Sequence, residues 1–254
     1  MTAKDRMIMR EKPVIQAHRG ASAYAPENTM EAFRMARDMR ADAIELDIHL
    51  TRDGKLAVIH DADIFRTSDG EGAVADMSLA ELRQYSYAAG FAEQYSGRKV
   101  ELPTLEEVYD FIRGTGMLVN VELKGGGEKM VRLAAECEKA CGMEGSVIYS
   151  SFRHEWLDLM LAFCPDAYTA PLYVTGIDVP WAYARRRCAA ALHPRYEAVY
   201  EFPDYIGKCH ENGIQVNVWT VDSPEEMKRL DALGVDSLIT NRPDVALRAL
   251  KKHG

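Results

Sequence analysis

The sequence predicts an α/β chain that closes into a barrel of parallel strands ringed by helices, and three stretches of one design carry that expectation. In AIELDIHL, Ile44, Leu46, Ile48 and Leu50 alternate with Glu45, Asp47 and His49. In LVNVELK, Val119, Val121 and Leu123 alternate with Asn120, Glu122 and Lys124, and in VNVWT the residues Asn217 and Trp219 occupy the less aliphatic face. A period of two places such polar groups on one side of a strand. Aliphatic residues outward and functional groups inward suit a closed barrel, whose inward residues near the strand ends reach its mouth. An open doubly wound sheet, covered on both faces, would show continuous apolar runs instead. The length of 254 residues also matches a (β/α)8 TIM barrel, for which roughly 250 is typical, so one domain over 1–254 is expected.

Taken in order, residues 14–17 form a short apolar strand that runs into His18-Arg19-Gly20. Asn28 reads as a helix N-cap with Glu31 as its capping-box partner, giving a helix over 29–40. The strand around Glu45 and Asp47 follows. Asp53-Gly54 signals a two-residue hairpin loop, which folds 55–61 back and sets Asp47 opposite His60; this return arm is an extension and not a barrel strand. The stretch of about 61–103 is rich in Gly, Ser and charge, and only 78–86 reads as a short helix. Long irregular connections in compact domains are commonly functional, so it is expected to be an insertion after the second strand, above the mouth, as a substrate wall, a lid or a passive excursion.

From Pro103 the alternation resumes. Thr104 caps a helix to about Arg113, 118–124 is a strand, and 128–141 is a helix ending at Gly142. Strands at 146–150 and 168–173 flank a helix at 155–163, and a short helix near 181–187 precedes a strand at 189–192 that ends at His193-Pro194. Pro203 starts a helix that stops near Gly213, and 216–220 is a strand. Ser223, with Pro224 and Glu226, starts the next helix, 236–240 is the last strand, and Pro243 opens the final helix. The total is about eight strands alternating with helices.

An apolar share of 47% supports one sizeable core and no disordered tail. The net charge of −8, with no basic stripe, argues against a nucleic-acid partner; Arg185-Arg186-Arg187 reads as a solvated helix end. The amino terminus lacks the apolar run of a secretory signal, and nothing approaches the roughly 20 apolar residues of a membrane span. A cytoplasmic protein is expected. Five cysteines without regular spacing give no disulfide framework. Cys137 and Cys141 share a helix face but lack further ligands for zinc.

The polar groups expected at strand ends are His18, Arg19, Glu45, Asp47, His60, Glu122, Lys124 and Trp219. Alone, each has an ordinary explanation: a Glu-x-Asp pair is commonly solvated, Lys124 precedes three glycines as a loop lysine would, and Trp219 could fill the barrel. His193 reads as structural, and His49, His154, His210 and His253 as surface or satisfied residues. Together they are more specific. Three converging carboxylates raise one another's pKa unless a cation holds them, and all-oxygen ligation favours Mg²⁺ or Ca²⁺ over zinc. Arg19 and Lys124 beside that cation suit a phosphate. Two histidines then remain as general base and general acid, and the chemistry implied is metal-assisted phosphodiester cleavage.

As a set, these residues resemble the glycerophosphodiester phosphodiesterase family. HRGASAYAPENTMEAF, IELDIHLTRDGKLAVIHD, LPTLEEV, VNVELK, VNVWTVD and DSLITNRP fall in family order over essentially the whole chain. The resemblance implies a (β/α) barrel with an insertion after the second strand. It also implies hydrolysis of deacylated phospholipids such as glycerophosphocholine or glycerophosphoethanolamine to sn-glycerol 3-phosphate and an alcohol. Carried over by position, His18 and His60 are the acid/base pair, and Glu45, Asp47 and Glu122 hold the divalent cation. Arg19 and Lys124 hold the phosphate, and Trp219 lines the pocket. In related barrel families a neighbouring substrate hydroxyl attacks first and gives a cyclic phosphate. The rival expectations are a metal-dependent lyase using Lys124 as base, a non-catalytic metal- and phosphate-binding barrel, and a phospholipase D-like enzyme on intact or lyso-lipids.

Overall fold

The computed structural model describes residues 12–250. The stretch 1–11, most of the segment read for a secretory signal, and His253 lie outside the described residues, as do the chain ends expected to carry no disordered tail.

Eight strands close a parallel barrel: β1 (Val14–Ala17), β2 (Ala43–Leu50), β4 (Leu118–Gly125), β5 (Val147–Ser151), β6 (Tyr168–Tyr173), β7 (Ala191–Pro194), β8 (Gln215–Val218) and β9 (Ser237–Thr240). Each pairs in parallel with the next, and β9 returns to β1, with Ile15 beside Leu238 and Ala17 beside Thr240. The ninth strand, β3 (Leu56–Val58), is an antiparallel arm on the mouth end of β2. Helices α1 (Met30–Asp38), α3 (Leu105–Ile112), α4 (Gly127–Ala140), α5 (His154–Phe163), α6 (Pro180–Arg186), α7 (Tyr205–Glu211), α8 (Pro224–Leu233) and α9 (Pro243–Ala249) alternate with the strands, and α2 (Leu79–Leu82) lies in the excursion after β3. Among the described residues no helix is long and apolar enough to cross a membrane.

The alternation read in the sequence sorts side chains as barrel closure requires. Ile44, Leu46 and Ile48 of β2 and Val119, Val121 and Leu123 of β4 point outward into one core with Phe33 of α1, Val108 of α3 and Val131 of α4. Burying an aromatic such as Phe33 contributes about 2–3 kcal/mol. Inside, an apolar plug of Val14, Ala43, Leu118, Ile148, Tyr168 and Ala191 closes the lower end. Above it lies a hydrogen-bonded polar chain: Gln16 Nε2 donates to Ser237 Oγ at 2.9 Å, Asn120 Nδ2 to Gln16 Oε1 at 3.0 Å, and Ser150 Oγ to Asn120 Oδ1 at 2.9 Å. Every strong donor in that chain has a partner, which is what makes polar filling of a barrel tolerable. The functional side chains stand on this layer.

Two local expectations are corrected. The hairpin loop has three residues, not two: Gly54 donates its N–H to Thr51 O at 3.0 Å and adopts φ 78, and Thr51 N–H donates to Lys55 O at 2.9 Å. A turn followed by a left-handed glycine is the usual three-residue solution. Pairing therefore runs Leu50 with Leu56 and Ile48 with Val58, and Ile59, not His60, donates its N–H to Asp47 O at 3.0 Å. The cap of α1 is Thr29, whose hydroxyl accepts from the Ala32 N–H. Asn28 sits one residue before, at φ 56, and its side chain is used elsewhere. Thr104 caps α3 as expected, and α2, shorter than the 78–86 read in the sequence, is capped by Ser78, each with a full capping box. A 3-10 turn at Tyr196–Tyr200 was not expected, and α7 begins after it at Tyr205.

Candidate active site

One cavity of about 100 Å³ opens at the carboxyl ends of the strands, and His18, Arg19, Glu45, His60, Glu122, Lys124 and Trp219 all line it. Asp47, one inward position further along β2 than Glu45, is fully buried beside it. All eight residues singled out in the sequence therefore meet at one mouth. They come from β2, β4 and the segments just after β1, β3 and β8, and the barrel alone brings these distant positions together.

The loop after β1 is built on two left-handed residues, Arg19 and Asn28, both at φ 56, and Asn28 N–H donates to Arg19 O at 3.0 Å. Such backbone costs on the order of 1–3 kcal/mol each and needs fixing from outside. Arg19 N–H donates to Glu45 Oε2 at 2.8 Å, and Asn28 Nδ2 donates to Asp47 Oδ2 at 2.8 Å. Gly20, at φ 81, packs so tightly on α1 that a Cβ there would stand 2.6 Å from Ala32 Cβ and 2.7 Å from its carbonyl carbon. The His-Arg-Gly sequence is thus a turn pressed against helix backbone.

Glu45, Asp47 and Glu122 each offer a carboxylate oxygen, all within 4.8 Å of one another. Burial and the Asp47 charge push Glu45 well above the ordinary carboxylate range. Burial and Asp47 likewise raise Glu122, to about 8, although Lys124 opposes the shift. Burial alone would raise Asp47 too, but Arg19 and Lys124 outweigh it and hold Asp47 well below its usual value. Asp47 Oδ1 is buried and accepts no hydrogen bond. A buried carboxylate oxygen that accepts no hydrogen bond, beside two carboxyls that resist ionisation, is a donor set suited to a cation. These three oxygen donors could hold a hard divalent cation.

Lys124 Nζ lies 2.8 Å from Glu122 Oε1, 3.5 Å from Asp47 Oδ1 and 3.0 Å from His60 Nε2. A lysine ammonium only donates, so His60 Nε2 is an acceptor and its proton sits on Nδ1, donated to Asp61 Oδ1 at 2.6 Å. His18 Nδ1 is 2.7 Å from Asn241 Oδ1, and its Nε2 is 4.0 Å from Glu45 Oε2. Burial, then the Arg19 charge, lowers His18 to about 4 despite that amide contact, so its imidazole is neutral. Trp219 is fixed by its Nε1–H donated to His193 O at 2.7 Å, and Phe152 stands edge-on to it with centroids 5.5 Å apart.

Several residues at this mouth were missed. Glu27 accepts Arg19 Nη1 at 2.9 Å and both Arg66 terminal nitrogens, at 2.8 and 2.7 Å. Arg66 Nε also donates to Asp61 Oδ2 at 2.6 Å. An alternating chain Arg19–Glu27–Arg66–Asp61–His60 therefore runs from the first loop through the excursion after β3 to the second histidine. That excursion has its own small core of Ile59, Ile64, Val74, Leu82, Tyr87, Val100 and Leu102. His49, read as surface or satisfied, is buried with Nε2 3.0 Å from His60 O. Glu27, Asn28 and Asp61 all fall inside motifs already quoted. Nothing in the sequence pairs them, because Arg66 is 39 residues from Glu27.

A parallel barrel with paired histidines, carboxylates and cations at the carboxyl ends of its strands defines a class: barrel enzymes of phosphate-ester chemistry. The family model of the Glycerophosphoryl diester phosphodiesterase family matches residues 18–245, and the chain belongs to that family. It is 38% identical over 250 residues to a glycerophosphodiester phosphodiesterase of Caldanaerobacter subterraneus subsp. tengcongensis, covering 96% of this chain and 100% of that one. It is 33% identical to one of Bacillus subtilis, covering 99% of this chain and 91% of the relative. Among solved structures, a glycerophosphodiester phosphodiesterase of Agrobacterium tumefaciens superposes with a TM-score of 0.81 at 27% identity, over 93% of this chain and 99% of that one. A phosphodiesterase of Oleispira antarctica, in complex with its product sn-glycerol-3-phosphate, shares the fold with a TM-score of 0.89 at 24% identity, over 99% and 100%. The protein is a glycerophosphodiester phosphodiesterase, a phosphoric diester hydrolase.

Proposed function

We propose that this enzyme cleaves deacylated phospholipids, such as glycerophosphocholine or glycerophosphoethanolamine, to sn-glycerol 3-phosphate and the head-group alcohol, with His18 as base and His60 as acid. The observation carrying this is that both imidazoles line one cavity while their Nδ1 atoms contact different groups: a neutral amide, Asn241, behind His18 and a carboxylate, Asp61, behind His60. A carboxylate stabilises an imidazolium and an amide does so far less.

Glu45, Asp47 and Glu122 hold Mg²⁺ or Ca²⁺, and when bound that ion supplies charge neutralisation at a phosphoryl oxygen. Lys124 and Arg19 bind the remaining phosphate charge, and Trp219 lines the pocket for the organic part. Engagement of Lys124 by phosphate frees His60 Nε2 to take a proton from solvent, which makes an imidazolium held by Asp61. In the first step His18 Nε2 takes the proton of the substrate hydroxyl neighbouring the diester. That oxygen bonds to phosphorus, the bond to the alcohol oxygen breaks, and His60 gives its proton to the departing alcohol. Water then opens the cyclic phosphate with the two histidines in reversed roles.

The test is a panel of glycerophosphodiesters and lysophospholipids, assayed with Mg²⁺, Ca²⁺ or chelator for the head-group alcohol, with sn-glycerol 3-phosphate or lysophosphatidic acid as the phosphorylated product. Release from glycerophosphodiesters, abolished by chelator and by removal of the neighbouring hydroxyl, is the expected result. Turnover confined to lysophospholipids would overturn the substrate assignment, and turnover of the deoxy analogue would overturn the cyclic route.

A further inference from the structure

The two motifs nearest the carboxyl end, VNVWTVD and DSLITNRP, carry two polar residues to which the mechanism above gives no task of their own. Their side chains meet behind His18. Asn241 Nδ2 donates to Asp222 Oδ2 at 2.6 Å, and Asn241 Oδ1 lies 2.7 Å from His18 Nδ1. Asp222 is held in turn: its Oδ1 accepts the Thr240 hydroxyl and the Asn241 backbone N–H, each at 2.9 Å. Ser22 Oγ sits 2.8 Å from His18 O and 2.9 Å from Asn241 Oδ1, closing the group from the other side. Residues after β1, β8 and β9 thus converge on one imidazole nitrogen.

The direction of these bonds decides more than their number. An amide has one donor end and one acceptor end, while a carboxylate only accepts. Asp222 therefore turns the NH₂ of Asn241 toward itself and leaves the carbonyl for His18. A carbonyl cannot donate, so the proton of the neutral imidazole must sit on Nδ1. The lone pair is then on Nε2, the nitrogen that faces the cavity.

We propose that Asn241, oriented by Asp222, is a positioning residue that holds His18 in the Nδ1–H tautomer, with its Nε2 lone pair presented to the reacting hydroxyl. The inference rests on His18 acting as the base. Asp222 touches neither substrate nor His18 and acts only by fixing which end of the Asn241 amide meets the ring. A reversed amide would place a donor against Nδ1, move the proton to Nε2 and abolish the acceptor.

The experiment combines ¹⁵N-imidazole spectra of the Mg²⁺-supplied protein with steady-state kinetics. His18 of the unaltered protein is expected as the Nδ1–H tautomer, its signals assigned by their loss in His18→Ala. Asn241→Ala and Asp222→Asn are each expected to give mixed tautomers and to lower kcat by about 100-fold, with KM changed less than about threefold. The double variant Asp222→Asn with Asn241→Asp exchanges amide and carboxylate. The new carboxylate accepts from both His18 and the amide at 222, whose carbonyl still accepts the Thr240 hydroxyl and the backbone N–H. It is expected to restore the Nδ1–H tautomer and bring kcat back to within about tenfold. An active protein whose His18 is the Nε2–H tautomer overturns the positioning role, and that reading needs no variant to fold. Asn241→Ala with kcat within about twofold, or a double variant no better than Asp222→Asn, overturns it as well. A protein with the expected tautomer that cleaves no glycerophosphodiester overturns the base assignment instead, and with it any catalytic use of Asn241.

Discussion

Lys124 Nζ stands 3.0 Å from His60 Nε2, so a permanent cation donates to the nitrogen to which the proposed mechanism gives a proton. In the proposed mechanism this contact gives way when Lys124 binds phosphate. Two acids on its other side, Asp47 and Glu122, outweigh the effect of burial and raise its pKa, so it remains charged. Lys124→Met removes a charge-assisted donor of about 1.5–3 kcal/mol. We expect kcat/KM to fall about 10- to 100-fold, and steady-state kinetics that stay within twofold would refute a phosphate-binding Lys124.

His18→Ala is expected to lower kcat by about 10²- to 10⁴-fold, the usual worth of a positioned base. Product binding, measured calorimetrically with sn-glycerol 3-phosphate, should weaken far less. Equal losses in both would make His18 a binding residue.

Glu122→Gln should weaken the divalent cation at least about tenfold, since even outer-shell changes cost that much. Titrations of Mg²⁺ and Ca²⁺ into both proteins check this, and equal affinities would place the ion elsewhere. Chelation of the unaltered enzyme should abolish turnover reversibly.

Gly20→Ala puts a methyl group against the Ala32 backbone at a φ of 81. Strain and overlap together should destabilise the protein by about 2–4 kcal/mol. Thermal unfolding measures this, and a melting temperature unchanged by the substitution would mean that the first loop moves freely off α1.

Away from the site, Glu138 of α4 is buried and accepts the Tyr149 hydroxyl at 2.9 Å. Burial outweighs that bond and pushes its carboxyl up to about 7 from 4.5. The folded state therefore binds the proton more tightly than the unfolded chain does. Its contribution is complete below the unfolded value and is lost as pH rises through the folded one. Glu138→Gln should melt like the unaltered protein near pH 4 and be more stable by about 1–3 kcal/mol near pH 8. A difference independent of pH would be the wrong outcome.

Much of this protein was legible in the chain itself. The period-two alternation in AIELDIHL and LVNVELK fixed both the outward aliphatic face and the inward placement of Glu45, Asp47, Glu122 and Lys124, because side-chain direction on a strand depends only on parity. Capping residues such as Thr104 and Ser223 marked helix starts for an equally local reason: their hydroxyls serve backbone N–H groups three residues away. Local rules failed where two uses competed for one residue. Asn28 has the chemistry of a cap, and only the fold shows Thr29 taking that task while Asn28 holds Asp47. The hairpin register likewise turned on one extra loop residue, since Gly54 alone accommodates the left-handed turn that moves Asp47 from His60 to Ile59.

What sequence determined by itself was therefore the alternation, the barrel and the residue types at its mouth. Tertiary structure decided which partner backs each histidine, Asn241 behind His18 and Asp61 behind His60, and which cations restrain each carboxylate. The physical reason is range. Side-chain parity and capping act within a few residues, whereas a hydrogen bond between positions 223 residues apart exists only once closure of the barrel has brought β9 beside β1.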